Sequence, residues 1–175
     1  ESAGVDINNL MYIQAISVEK VLETIEALID QYEDTQFIFI WDSIAATSSE
    51  KELESDFNPQ STMSVKPRIF GKAFPKLTIP LANGQHTLLL INQLKTNINV
   101  QNPMAALIEP YIAPGGKAIE YFCSMRIWLT KRKSKASYLQ DDTGLRIGCE
   151  VKCKLQKSRF GTEGRECTFK ILWSG

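Results

Sequence analysis

The sequence predicts an α/β fold: a mostly parallel central sheet with flanking helices, followed by a C-terminal antiparallel meander. Three observations predict it. Two apolar runs, 37–41 and 87–91, are unbroken, as in strands buried on both faces of a parallel sheet. The segments that precede them carry apolar residues at helical spacing. Beyond residue 121, strand-like runs are separated by polar turn residues.

Taken in order, Leu10 to Ile13 reads as a short strand. Ser17 then caps a helix reaching about Gln31, with Val18, Val21, Leu22, Ile25, Leu28 and Ile29 on one face and Glu19 in the first turn. With the strand at 37–42 this makes a strand–helix–strand unit, which requires parallel strands. Residues 47–64 are polar and acidic and read as a mobile loop. Residues 66–83 show helical spacing through Ile69, Phe70, Ala73, Phe74 and Leu77, but contain Pro67, Pro75 and Pro80. Pro67 suits a helix start. An interior Pro75 costs about 3 kcal/mol, so a bent or interrupted helix is expected. The strand at 87–92 follows.

Residues 94–116 form a long connection with three prolines, and connections of that length are commonly functional. Ile98, Val100, Met104, Leu107 and Ile108 within it suit either a small apolar cluster under the loop or insertion between bases. A short helix at about 117–121 leads into a strand at 122–130. The basic run 131–135 reads as a hairpin tip or a phosphate-attracting patch. Strands at about 145–155 and 165–173 complete the meander.

Composition narrows the function. With 175 residues the chain can bury a substantial core. Twenty Lys+Arg balance twenty Asp+Glu, so any affinity for nucleic acid must come from a local patch or loop. There is no apolar run of membrane-spanning length and no visible signal peptide, so no membrane partner is expected. Cys123, Cys149, Cys153 and Cys167 form no C-x-x-C pair and read as buried, reduced thiols of a cytoplasmic protein. The one histidine, His86, reads as a surface residue, which leaves no basis for a zinc site or Ser-His-Asp chemistry.

The polar residues that end the two central runs carry the chemistry. In parallel sheets ligands bind at the carboxyl ends of the strands. An Asp there, Asp42, is suited to holding Mg²⁺ beside a nucleotide, directly or through water; it would equally cap the following turn. A Gln there, Gln93, can sense a phosphate or orient a water.

Four segments resemble the RecA family of recombinases, in the family's order and at roughly its spacings. Residues 4–10, GVDINNL, resemble GVDIDNL. Trp41-Asp42-Ser43-Ile44-Ala45-Ala46 resembles the Walker B strand VDSVAA. Ile91-Asn92-Gln93-Leu94-Lys95 resembles INQIR, and residues 115–124, GGKAIEYFCS, resemble GGNALKFYAS. Gln156-Lys157-Ser158-Arg159 is closer to the phage-type branch, EKSR.

The resemblance implies a RecA-like P-loop NTPase core across 1–175, using ATP and Mg²⁺. It implies binding of single-stranded and double-stranded DNA, self-association into filaments or rings, and DNA strand exchange. Residue by residue, it places Asp42 and Ser43 at Mg²⁺–ATP, with Asp42 holding the metal through water. Gln93 would be the γ-phosphate sensor that relays nucleotide state to a DNA-binding loop. Lys157 and Arg159 would reach the ATP of a neighbouring subunit. Two DNA-binding loops match about 52–65 and 94–113, with Arg68, Lys95, Asn97, Ile98, Gly115 and Gly116 as DNA contacts. The chain departs from the family where Pro75 replaces a second arginine and Gly71 a small hydroxyl residue.

No G-x-x-x-x-G-K-[ST] phosphate loop occurs in these residues. In the family that loop and the water-activating glutamate lie upstream of the GVDI segment, and Glu1 does not match that glutamate. The expectation is therefore a fragment of the core that alone hydrolyses ATP poorly. Two alternatives stay open. One is another RecA-fold ATPase such as a hexameric helicase, against which the GVDI, INQ and GGKA segments stand together. The other is a degenerate, non-catalytic paralogue that only binds DNA or a recombinase partner.

Overall fold

The computed structural model describes residues 4–56, 64–96, 111–131 and 137–173. It divides into two compact units: Gln14–Phe122, and Glu1–Ile13 together with Cys123–Gly175.

The first unit is built on α1 (Val18–Gln31), β1 (Ile38–Asp42), α2 (Glu50–Glu54), α3 (Val65–Asn83), β2 (Thr87–Ile91), a small pair β3 (Lys95–Thr96) and β4 (Tyr111–Ile112), and α4 (Lys117–Phe122). α1 starts where its cap predicts: the Ser17 hydroxyl accepts from the Lys20 N–H. β1 and β2 pair in parallel, from Ile38 opposite Thr87 to Asp42 opposite Ile91. The crossover between them carries α2 and α3, as parallel pairing requires. α3 packs against both α1 and α4. Val18, Leu22 and Ile25 of α1, Trp41 and Ile44 at the end of β1, Phe70, Phe74 and Leu77 of α3, and Ile119 of α4 form the buried core. Phe70 is fully buried; it stacks on Phe74 with ring centroids 5.2 Å apart and meets Trp41 edge-on at 5.9 Å.

Four expectations are corrected here. Leu10–Ile13 forms no strand; a 3-10 turn at Ile7–Asn9, capped by the Asp6 carboxylate, precedes it. The polar segment 47–64 is not loop throughout, because Ser49 and Glu52 form a reciprocal capping box that starts α2. α3 runs uninterrupted through Pro75 and Pro80. Its apolar anchors Phe70, Phe74 and Leu77 hold one face, and the lost backbone donors lie on a helix whose packing outweighs them. Finally, β1 and β2 are covered on one face only: Phe39 and Trp41 turn inward, whereas Ile38 and Ile40 are 71% and 61% exposed.

His86 is a further difference. It is half-buried, its Nδ1 accepts the Phe37 N–H at 3.1 Å, and its ring lies against Phe37 and Phe39. It plugs the start of the parallel pair instead of facing solvent.

The second unit is an antiparallel sheet of β5 (Met125–Lys131), β6 (Tyr138–Gln140), β7 (Arg146–Ser158) and β8 (Glu166–Leu172). β7 is its centre. β8 takes one edge of β7 from Gly148 to Lys154. β5 and β6 share the other edge in line: Lys131 lies opposite Val151, and Tyr138 opposite Cys149. Residues 132–135 of the basic run lie outside the described residues. β6 and β7 are joined by the Asp141–Leu145 turn, where the Asp141 carboxylate accepts from the Thr143 hydroxyl and from the N–H groups of Thr143 and Leu145. All four cysteines are free, but only Cys149 is buried, and Cys167 is exposed. No helix among the described residues is long and apolar enough to cross a membrane.

Candidate functional site

Parallel pairing puts the two polar strand ends side by side. Asp42 closes β1 opposite Ile91, and Asn92 and Gln93 follow β2 directly. Adjacent strands lie about 4.8 Å apart, so Asp42 and Gln93 emerge at one end of the pair. Both are exposed.

The turn after β1 is tied down strongly. The Asp42–Ser43 peptide is cis. Ser43 and Ile44 are buried, and the Ile44 N–H donates to the Ile91 carbonyl at 3.0 Å. The Trp41 indole N–H donates to the Thr47 hydroxyl at 2.9 Å, and that hydroxyl donates to the Ser43 carbonyl at 2.9 Å. With its neighbours so held, Asp42 presents a carboxylate outward from a fixed frame. One carboxylate with open surroundings suits a hard cation that keeps waters and takes its remaining ligands from phosphates, as Mg²⁺ does. Among the described residues no three His, Cys, Asp or Glu side chains gather as a metal cage.

Beyond Gln93, β3 and β4 pair Lys95 with Ile112 and Thr96 with Tyr111, forming a two-residue neck. Lys95 is exposed on its outgoing arm. The return arm ends in Pro114, Gly115 and Gly116, and both glycines have positive φ, 98° and 73°. A side chain on Gly115 would meet Ile119 and Phe70, and one on Gly116 would come within 3.0 Å of Pro67. Glycine is thus needed where this arm lies against the first turns of α3. Arg68 stands exposed on those same turns. At the start of α3, Lys66 pairs with Glu52 of α2 at 3.6 Å, both side chains largely buried.

Asp42, Ser43, Gln93, Lys95, Arg68, Gly115 and Gly116 therefore belong to one unit, with Gln93 leading directly into the neck. Asn97 and Ile98 lie outside the described residues. Lys157 and Arg159 belong to the other unit: Lys157 faces Arg126 across β5–β7, and the Arg159 N–H donates to the Ser124 carbonyl. Sequence reasoning passed over Asn92 and the Glu52–Lys66 pair. The S-x-x-E spacing of Ser49 and Glu52 was a legible cue for the pair's acidic member; nothing local marked Asn92 beyond its position at a strand end.

Comparison with known proteins identifies the family. The family model of the RecA N-terminal domain matches residues 1–175. Protein RecA of Mycoplasma mycoides subsp. mycoides is 29% identical over 171 residues, covering 98% of this chain and 46% of that protein. Protein RecA of Frankia alni is 29% identical over 172 residues, 98% and 46% of the two chains. Protein RecA of Chlorobaculum tepidum is 29% identical over 170 residues, 97% and 45%. The chain spans about half the length of these curated relatives.

Proposed function

Because the chain belongs to the RecA family, we propose that it supplies the Walker B and DNA-loop portion of an ATP-dependent strand-exchange core with the P-loop NTPase fold. The observation that carries this reading is the strand-end arrangement. Asp42 and Gln93 share the carboxyl end of a parallel pair, and Gln93 runs straight into the neck of a long loop.

In this reading Asp42, framed by Ser43, holds Mg²⁺ on ATP through water, and the metal neutralises phosphate charge when bound. Gln93 contacts the γ-phosphate, so nucleotide state biases the loop that begins two residues later. Arg68, Lys95, Gly115 and Gly116, with Asn97 and Ile98, contact single-stranded DNA. Backbone contacts make that binding sequence-tolerant, and pairing with a homologous duplex supplies recognition. Lys157 and Arg159 act on ATP across a subunit boundary in a filament, where cationic groups stabilise developing phosphate charge.

The test is fluorescence anisotropy of a labelled single strand titrated with the chain over a series of salt concentrations. Binding should weaken steeply with salt. Arg68→Ala should lower affinity and reduce the salt slope by about 1. Equal affinity for wild type and Arg68→Ala at every salt concentration would remove α3 from the interface.

A further inference from the structure

Asn92 sits between the two halves of the proposed relay and bonds to both. It is half-buried, between exposed Ile91 and Gln93. Its Nδ2 donates to the Pro114 carbonyl at 2.8 Å, across 22 residues of chain. Its Oδ1 accepts the Gln93 backbone N–H at 2.9 Å. One carboxamide thus joins the outgoing arm of the loop, at Gln93, to the return arm, at Pro114. The next residue on that arm, Gly115, is buried against Phe70 and Ile119, and Gly116 lies against Pro67. These contacts continue to α3, which carries Arg68.

We infer that Asn92 is a positioning residue that couples Gln93 to the DNA-contacting face of α3. It does so by clasping the return arm of the loop at Pro114 while holding the Gln93 backbone. The inference rests on the strand-exchange reading for its consequence, but its physical content is a coupling that can be measured without DNA or nucleotide.

Only a side chain that donates and accepts at once fills this role, because Pro114 offers an acceptor and Gln93 a donor. Asp keeps the acceptor and loses the donor. Ala loses both. A displacement of Gln93 shifts the carboxamide, and the carboxamide draws Pro114 and the two glycines with it. Without the clasp, the link between the two arms among the described residues is the two-residue pair of β3 and β4.

Hydrogen exchange measured on wild type, Asn92→Asp and Asn92→Ala separates the two bonds. In Asn92→Ala, exchange should rise about tenfold at Gln93 and across 95–96 and 111–112, the scale set by losing one hydrogen bond. In Asn92→Asp, Gln93 should stay protected while the neck exchanges as fast as in the Ala variant. A general loss of stability cannot produce that split, and β7 serves as the control that should not change. Exchange at 95–96 and 111–112 equal to wild type in both variants would overturn the inference. Anisotropy with the labelled single strand reports separately. If wild type fails to bind at any salt concentration, the strand-exchange reading falls while the exchange result still decides the clasp. If wild type binds, both variants should bind several-fold more weakly.

Discussion

Phe70 joins three parts of the first unit, touching Trp41 of β1, Phe74 on its own helix and the space beside Gly115. Phe70→Ala should cost about 3–5 kcal/mol, read as a lower midpoint in urea unfolding. A loss near zero would mean that the helices close over the gap. Asp141 acts through charge. The Thr143 hydroxyl, with the N–H groups of Leu145, Thr143 and Gly144 adding to it, holds its carboxyl below the usual carboxylate range, against a smaller opposing effect of desolvation. A carboxyl depressed on folding contributes stability above its unfolded pKa and loses it as pH falls through the folded value. Asp141→Asn should therefore flatten the acid side of the pH–stability curve and leave neutral pH little changed in slope. An unaltered acid limb in denaturation at pH 2–5 would refute this. At this scale the sequence was legible in where the two central strands end. The placement of Asp42 and Gln93 at those strand ends follows from the apolar runs, whereas the bond of Asn92 does not, since its partner Pro114 is far along the chain.

Among elements, α1 was legible because Ser17 and its apolar stripe agree, local cap with burial. α3 was legible in extent but not in continuity. Propensity charges Pro75 heavily, and only the tertiary contacts of Phe70, Phe74 and Leu77 show why the helix continues. Pro75 is exposed. Pro75→Ala restores a donor to the Gly71 carbonyl and should stabilise the chain by up to about 3 kcal/mol, raising its melting temperature. A lower melting temperature would show that the proline restricts the unfolded chain more than it costs the helix. The apolar content of residues 10–13 was misread as a strand. Leu10, Met11, Tyr12 and Ile13 are all exposed and lie in no strand.

At the scale of the whole molecule, equal numbers of acidic and basic residues leave no bulk attraction for DNA. On the proposed reading, affinity for DNA comes from the loop arms and α3, so single substitutions there should show in binding. The antiparallel unit follows a different logic. β7 is paired along both edges, while β5, β6 and β8 each pair only with β7. Its amides should be the slowest to exchange in that unit, and faster exchange in β7 than in β8 would contradict the sheet order. The sequence showed β5, β7 and β8 of this unit, but not β6, nor that β5 and β6 share one lane. Register between distant strands depends on cross-strand partners, which local pattern does not encode.

That shared lane has a practical consequence. Between Lys131 and Tyr138 the chain advances seven residues, while their partners Val151 and Cys149 are two apart. Each flank is independently registered against β7. An epitope, a fluorophore-binding tag or a surface tether spliced between Lys131 and Tyr138 would therefore add length to the chain without re-indexing a single described pair in the sheet.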